Sequence, residues 1–150
     1  MRPKFRGKPK IRPARLSDAQ TLANLSGQLG YPTSVAKMTH RLKSIRPRDQ
    51  HATFVADDPE DGVIGWIHVS AVPLLEVDLR AEVNGLVVAD GKRSCGAGWL
   101  LLEAAERWAR GHRCKSMSVR SNIIRDRAHG FYERHGYEHY KTQKAFRKPL

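Results

Sequence analysis

Residues 87–98 read Val-Val-Ala-Asp-Gly-Lys-Arg-Ser-Cys-Gly-Ala-Gly and carry the plainest chemical signal in the chain. A β-branched run feeds a short loop of small residues, and a helix-forming stretch follows at once. Small residues let backbone approach a ligand closely, and the unbonded amides that open a helix attract an anion. Phosphate or pyrophosphate is the anion such a loop suits. A Walker loop, G-x-x-x-x-G-K-[ST], is not what Gly91-Lys92-Arg93-Ser94 supplies, and a dinucleotide fingerprint would need glycine where Leu101 stands. What remains is Arg93-x-x-Gly96-x-Gly98, with an ordinary tight turn and close helix packing as the alternative reading. Cys95, inside the loop, reads as filler. With Cys114 it makes no C-x-x-C pair and no zinc set, so no metal site and no disulfide framework are expected.

The elements that must position this loop alternate between strands and helices. Ile11–Arg15 reads as a first strand. Ser17-Asp18 then offers a cap to a helix whose inward face is Leu22, Leu25 and Leu29 and which Gly30 ends. A second helix is predicted from Ser34 to Ile45, with Val35, Met38, Leu42 and Ile45 inward and Pro47 as its stop. Thr53–Ala56 and Val63–Val72 flank a turn-forming stretch at 57–62, which predicts an antiparallel hairpin. Alternation over Val63, Gly65, Ile67 and Val69 predicts one buried face. After a 73–78 loop comes a strand from Ala81 to Ala89, then a helix from Gly96 to Arg110 with Leu101, Ala104, Ala105 and Trp108 at helical spacing and Gly111 as C-cap. Lys115–Arg120 reads as a strand with Met117 and Val119 inward, 125–135 as a short helix ended by Gly136, and Tyr137–Arg147 as a last strand. The fold class is mixed α/β, one domain over residues 11–150.

The 150 residues suffice for a core without staples. No apolar run approaches the roughly 20 residues of a membrane-spanning helix, and the basic N-terminus has no apolar segment behind it, so a cytoplasmic location is expected. Lys plus Arg number 27 against 15 Asp plus Glu, a net charge of +12. Half of it comes from Arg2, Lys4, Arg6, Lys8, Lys10 and Arg12 in the first twelve residues, and residues 1–10, with Pro3 and Pro9, read as a basic, flexible tail. Solubility explains such a tail; contact with nucleic acid or another polyanion is the second reading.

Arg93 to Gly98 resembles the pyrophosphate-binding motif of the GNAT superfamily of acetyltransferases. Ala128-His129-Gly130-Phe131-Tyr132-Glu133-Arg134-His135-Gly136-Tyr137 is similar to the A-x-x-F-Y-x-x-x-G-F/Y signature that closes the same cofactor site, one helix and one strand later. Ile11-Arg12-Pro13-Ala14 with Asp18, and Ile64-Gly65-Trp66, fit the same pattern, so the resemblance covers nearly all of residues 11–150. Leu29-Gly30-Tyr31-Pro32, Arg120-Ser121-Asn122 and Lys141-Thr142-Gln143 look like a bacterial subgroup near aminoalkylphosphonate and aminoglycoside acetyltransferases.

The resemblance implies a splayed, mostly antiparallel sheet holding acetyl-CoA between two neighbouring strands. The pantetheine arm would pair with backbone at Leu86, Val87 and Val88, and the pyrophosphate would sit on amides of Ser94, Cys95, Gly96, Ala97 and Gly98 beside Arg93. An amine would attack the thioester directly, without a covalent enzyme intermediate. Tyr132 matches the tyrosine that protonates the departing thiolate, a task suited to a phenol of ordinary pKa about 10. Glu82, at the start of the central strand, matches a glutamate that takes the ammonium proton through water; Glu76, Asp78 and His68 are the alternatives. Glu76, Asp78 and Glu82 would make an acidic entrance, and the two N-terminal helices with the 73–80 loop would shape the acceptor pocket. The sequence departs from the family at Ser94, where glycine is common, at Cys95, and at Arg125, where an asparagine is common; Asn122 is the nearby asparagine that would reach the cofactor. Three functions stay open: a small-molecule amine acetyltransferase, a protein or peptide N-acetyltransferase, and a binding module that keeps the cofactor without turnover. A homodimer paired through exposed sheet edges is the assembly that the resemblance suggests.

Overall fold

The computed structural model describes residues 7–45, 50–93 and 95–150. It divides into two compact units, Met1–Arg120 and Ser121–Leu150.

The first unit holds one five-stranded sheet whose strands lie in chain order. β1 (Lys10–Pro13), β2 (His51–Asp58), β3 (Gly62–Ala71) and β4 (Arg80–Val88) pair antiparallel, and β5 (Ser116–Val119) runs parallel to β4. The β2–β3 hairpin closes where Asp58 Oδ1 accepts from the amides of Glu60 (2.9 Å) and Asp61 (3.0 Å), with Gly62 at a φ of 71°. α1 (Ala19–Leu29) buries Leu22 and Leu25 as the spacing predicts. It ends at Gly30 (φ 101°), where the Tyr31 amide returns to Ser26 O at 2.9 Å.

α3 (Ala97–Gly111) links β4 to β5 and packs on β2, β3 and β4. Its Leu101, Leu102, Ala105 and Ala109 cover the sheet face that carries Ile67, Val69 and Ala56, all essentially without exposure. Each large side chain buried there stabilises the fold by roughly 1.5–3 kcal/mol. Gly65 is what permits the close approach, since a Cβ there would lie 3.2 Å from Leu101 Cδ1 and 2.8 Å from the Val87 carbonyl oxygen.

Four sequence expectations are corrected. Asp18 does not cap α1 with its side chain. It accepts from Arg12 Nη1 (2.8 Å), Arg12 Nη2 (2.9 Å) and the Arg15 amide (2.7 Å), because the largely buried Arg12 guanidinium needs a counter-charge. Those contacts, Arg12 above all, hold the Asp18 carboxyl below the usual carboxylate range. α2 (Val35–Ser44) is capped by Ser34 as expected, its Oγ accepting from the Lys37 amide at 3.2 Å, yet Val35 is exposed and the helix buries no side chain. Its expected stop, Pro47, lies outside the described residues. Gly111 is still helical. His112 continues the turn, with Nδ1 2.8 Å from Trp108 O and its ring stacked on Trp108, and the left-handed residue is Arg113 (φ 62°).

The fourth correction concerns the second unit. It contains α4 (Asp126–Arg134), closed by Gly136 (φ 87°), but residues 137–150 form no strand. Tyr140, Phe146 and Leu150 are exposed along it, so its apolar residues bury too little to fix a register.

Candidate functional site

β4 changes its surroundings halfway along. Its pairing with β5 runs from Arg80↔Ser116 to Val83↔Val119 and stops, whereas its pairing with β3 continues to Val88. Gly85 to Val88 therefore carry a strand on one side only. The cause lies in one residue. Val83 faces Val69 and Gly85 faces His68, so Asn84 is an extra residue, a bulge that bends the strand. Its Nδ2 donates to the buried Ser70 Oγ at 2.8 Å, which pins the bulge to β3. The predicted Leu86, Val87 and Val88 thus lie along a backbone edge whose outward amide and carbonyl groups face no further strand among the described residues.

That edge runs directly into the loop. The Ala89 amide donates to Ile64 O (2.7 Å), Asp90 N to Gln28 Oε1 (2.9 Å), Lys92 N to Ala89 O (3.0 Å) and Cys95 N to Lys92 O (3.3 Å). Gly91 (φ 79°) and Gly96 (φ 80°) take left-handed conformations that would strain any other residue. α3 begins at Ala97, and Leu100 N→Gly96 O (3.1 Å) returns the first amide to the helix. The amides of the first turn point out of the helix toward the loop, with the positive end of the helix dipole behind them. Arg93 is held over this loop by Asp90 (Nη2–Oδ1 2.7 Å) and by its Nε contact to Val88 O (3.4 Å), while Lys92 pairs with Asp61. Gly96, Ala97, Gly98, Cys95 and Arg93 are thereby brought together, and Ser94 lies outside the described residues. An open strand edge leading to a cluster of outward amides suits a long ligand with an amide-bearing arm and a phosphate group.

The sheet face turned away from α3 supplies the side chains. One row of the ladder crosses four strands, His51↔Ser70↔Glu82↔Ser118, and every member is polar. Side-chain contacts cross this face between His51 and His68, between Ser70 and Asn84, between Arg12 and Asp57, and between Glu82 and Arg120, whose Nε lies 2.7 Å from Glu82 Oε1. Glu82 is thus fixed by one oxygen. Burial, and then the neighbouring His51, push the His68 imidazolium down to about 4. Glu76 and Asp78 sit on the exposed 72–79 segment. Sequence reading missed His51, Ser70, Asn84 and the partnership of Arg120. Their alignment depends on ladder register and on the bulge, and one-strand periodicity encodes neither.

In the second unit, Asn122 turns its side chain to its own loop, Oδ1 accepting from the Ile124 amide at 3.2 Å. Its carbonyl lies 2.8 Å from His129 Nε2, which ties the loop to α4. Tyr132, on α4, makes edge contacts with Phe131 and Tyr137. Burial pushes its phenol up to about 12, against a smaller opposing pull from Arg125, so the hydroxyl keeps its proton across the neutral range. Among the described residues no group of three or more His, Cys, Asp or Glu could hold a metal ion, and no helix is long and apolar enough to cross a membrane.

A family model described as the acetyltransferase (GNAT) family matches residues 20–137. The chain is 24% identical to an aminoglycoside N(6')-acetyltransferase type 1 of Klebsiella aerogenes, over 95% of this chain and 97% of that one. Among solved structures it superposes on aminoglycoside N-acetyltransferase AAC(6')-Iy in complex with CoA, with a TM-score of 0.84, 19% identity and full coverage of both chains. A transcriptional regulator from Bacillus halodurans C-125 matches with a TM-score of 0.79 and 22% identity, over 92% of this chain and 99% of that one.

Proposed function

The chain belongs to the GNAT acetyltransferase family, and on that premise we propose that it moves the acetyl group of acetyl-CoA to a primary amine of a small molecule, by direct attack in a ternary complex. One observation carries the reading: β4 loses its β5 neighbour after Val83 and leads straight into the outward amides at the start of α3. The activated thioester is what acetyl-CoA supplies. Leu86 to Val88 offer backbone pairing to its arm, and Arg93 with residues 94–98 offers cation and amides to its phosphates. Asn122 is the weaker member of this set, since its side-chain oxygen is engaged locally.

Glu82 draws the ammonium toward the bulge and, through water, takes its proton; Arg120 engages one oxygen of the carboxylate. Tyr132 keeps a proton available for the thiolate. α1, α2 and the 72–79 segment shape the acceptor pocket within a single domain over residues 11–150. The relative from Klebsiella aerogenes, by its name, acetylates an aminoglycoside, which favours a small-molecule acceptor over a peptide. A cytoplasmic homodimer, with a polyanion as a partner of the basic residues 1–10, completes the reading.

The test is thermal unfolding with and without acetyl-CoA, followed by release of the CoA thiol across an amine panel. An upward shift is expected, because binding to the native state alone stabilises it. Turnover should fall about 100-fold in Tyr132→Phe. Absence of any shift at saturating acetyl-CoA would end the reading, and a shift without turnover for any small amine would favour the peptide or binding-module alternatives.

A further inference from the structure

Arg80 has no part in the roles above. It opens β4 two residues before Glu82 and shares its face, since Ala81 and Val83 alternate with them and are buried on the α3 side. Its Nε is buried, and among the described residues no acceptor meets it and no carboxylate pairs with the guanidinium. A buried donor left without a partner is costly and rare in folded proteins. The group that satisfies a guanidinium best is a carboxylate or a phosphate-type anion, held by two parallel N–H bonds. The neighbouring cation differs in kind, for Arg120 is exposed and already engaged with Glu82.

The N-terminal helices carry the same sign. Between Asp18 and Asp49 the chain has no acid, while Lys37, Arg41, Lys43, Arg46 and Arg48 are cations. That stretch includes all of α1 and α2, the helices assigned above to the acceptor pocket. α2 buries no side chain, and Arg41 meets a neutral group, its Nη1 donating to Thr33 Oγ1 at 3.1 Å. Glu76 and Asp78 stand on the exposed 72–79 segment, where water and salt screen them. An acceptor with several ammonium groups, such as an aminoglycoside, would find no acid on either helix and cations along the second.

Order along β4 gives the acceptor a direction. Arg80 and Glu82 lie where β5 still runs beside the strand, opposite Ser116 and Ser118. The open edge assigned to the cofactor arm begins past the bulge, at Gly85. Glu82 is therefore the nearer of the two to the thioester, and Arg80 the farther. Residues two apart on a strand are separated by about 6.6 Å, a span filled by about two to four carbons between an amine and an acid.

We infer that the acceptor is a zwitterion, a small amine whose far end is a carboxylate or phosphonate held by Arg80 while Glu82 takes the ammonium. This deepens the acetyl-transfer reading and rests on it. Arg80 determines specificity: its charge selects the far end of the acceptor, and the amine at the near end reacts.

The test uses the full chain and acceptors alike at the amine but different at the far end. Primary amines with two, three and four methylenes are offered ending in methyl, a second ammonium, a carboxylate or a phosphonate, with kanamycin beside them. In wild type, kcat/KM should be about 10- to 100-fold higher for an acid-ended amine than for its methyl counterpart, mostly through KM. The diamine should be poorer still. The acid-to-methyl ratio is read within one enzyme, so a partial loss of folding cancels. It should drop to about 1 in Arg80→Met, be partly kept in Arg80→Lys, and reverse toward the diamine in Arg80→Glu. Preference for either acid supports the inference and names the anion. A wild-type ratio at or below 1, best turnover with the diamine or kanamycin, or a ratio that survives Arg80→Met overturns the zwitterion and leaves acetyl transfer standing. An unfolding shift with acetyl-CoA but turnover of none of these amines also overturns the zwitterion alone. Absence of both shift and turnover overturns the acetyl-transfer reading, and the inference with it.

Discussion

The two faces of the central sheet are made from the same strands and are opposite in kind. On β3, Gly65, Ile67, Val69 and Ala71 face α3 and are buried among Leu101, Leu102 and Ala105, while Trp66, between the buried Val55 and Val87, and His68 and Ser70, in polar contacts, face the other way. The pleat separates the two tasks at single-residue spacing. Cohesion comes from the α3 face, where aliphatic area leaves water. The proposed chemistry sits on the opposite face, where polar groups contact one another across the strands beside an open strand edge.

The comparison can be broken most forcefully from its apolar side. Leu101→Ala should cost about 2–5 kcal/mol in urea unfolding, with kcat per folded molecule unchanged. A loss in kcat at full stability would show that the faces are not separate. Next comes pH. The His68 pKa is lowered, so its contribution is fully present above the ordinary value of 6.5 and is lost as pH falls from there through about 4. Wild type should lose about 3 kcal/mol more than His68→Asn over that window, at about 1.4 kcal/mol per pKa unit. Asp18 titrates below its usual range and so contributes its loss at lower pH. Parallel curves for the two proteins would mean that His68 is not held neutral by the fold. The smallest effect is Ser70→Ala, which should cost about 1 kcal/mol by freeing Asn84. An unchanged midpoint would show that the bulge does not need that bond.

What the sequence revealed and what it hid follow the same division. Periodicity found the apolar face: Ile67 and Val69 alternate, and Leu101, Ala104 and Ala105 recur at helical spacing. Glycine chemistry found the loop, since Gly91 and Gly96 stand where the backbone turns left-handed. The polar row was invisible because His51, Ser70, Glu82 and Ser118 meet only through the register of three strand pairings. The Asn84 bulge, which alternation alone cannot announce, shifts that register by one. Errors fell where a local rule met a competing partner. Asp18 obeys Arg12 instead of the helix start, and Trp108 carries the helix past Gly111. Residues 137–147 have strand-like composition but bury too few apolar groups to be held as one.

The bareness of α2 has a consequence for how such a protein changes over generations. A helix that buries no side chain can exchange residues at a cost usually within about 0.5 kcal/mol, so it is nearly invisible to selection for folding. Were α2 to shape the acceptor pocket as proposed, selection on acceptor choice would act there almost alone, in small reversible steps, while the α3 face stays fixed. A new acceptor would then be gained through α2 without the lineage passing through an unfolded intermediate.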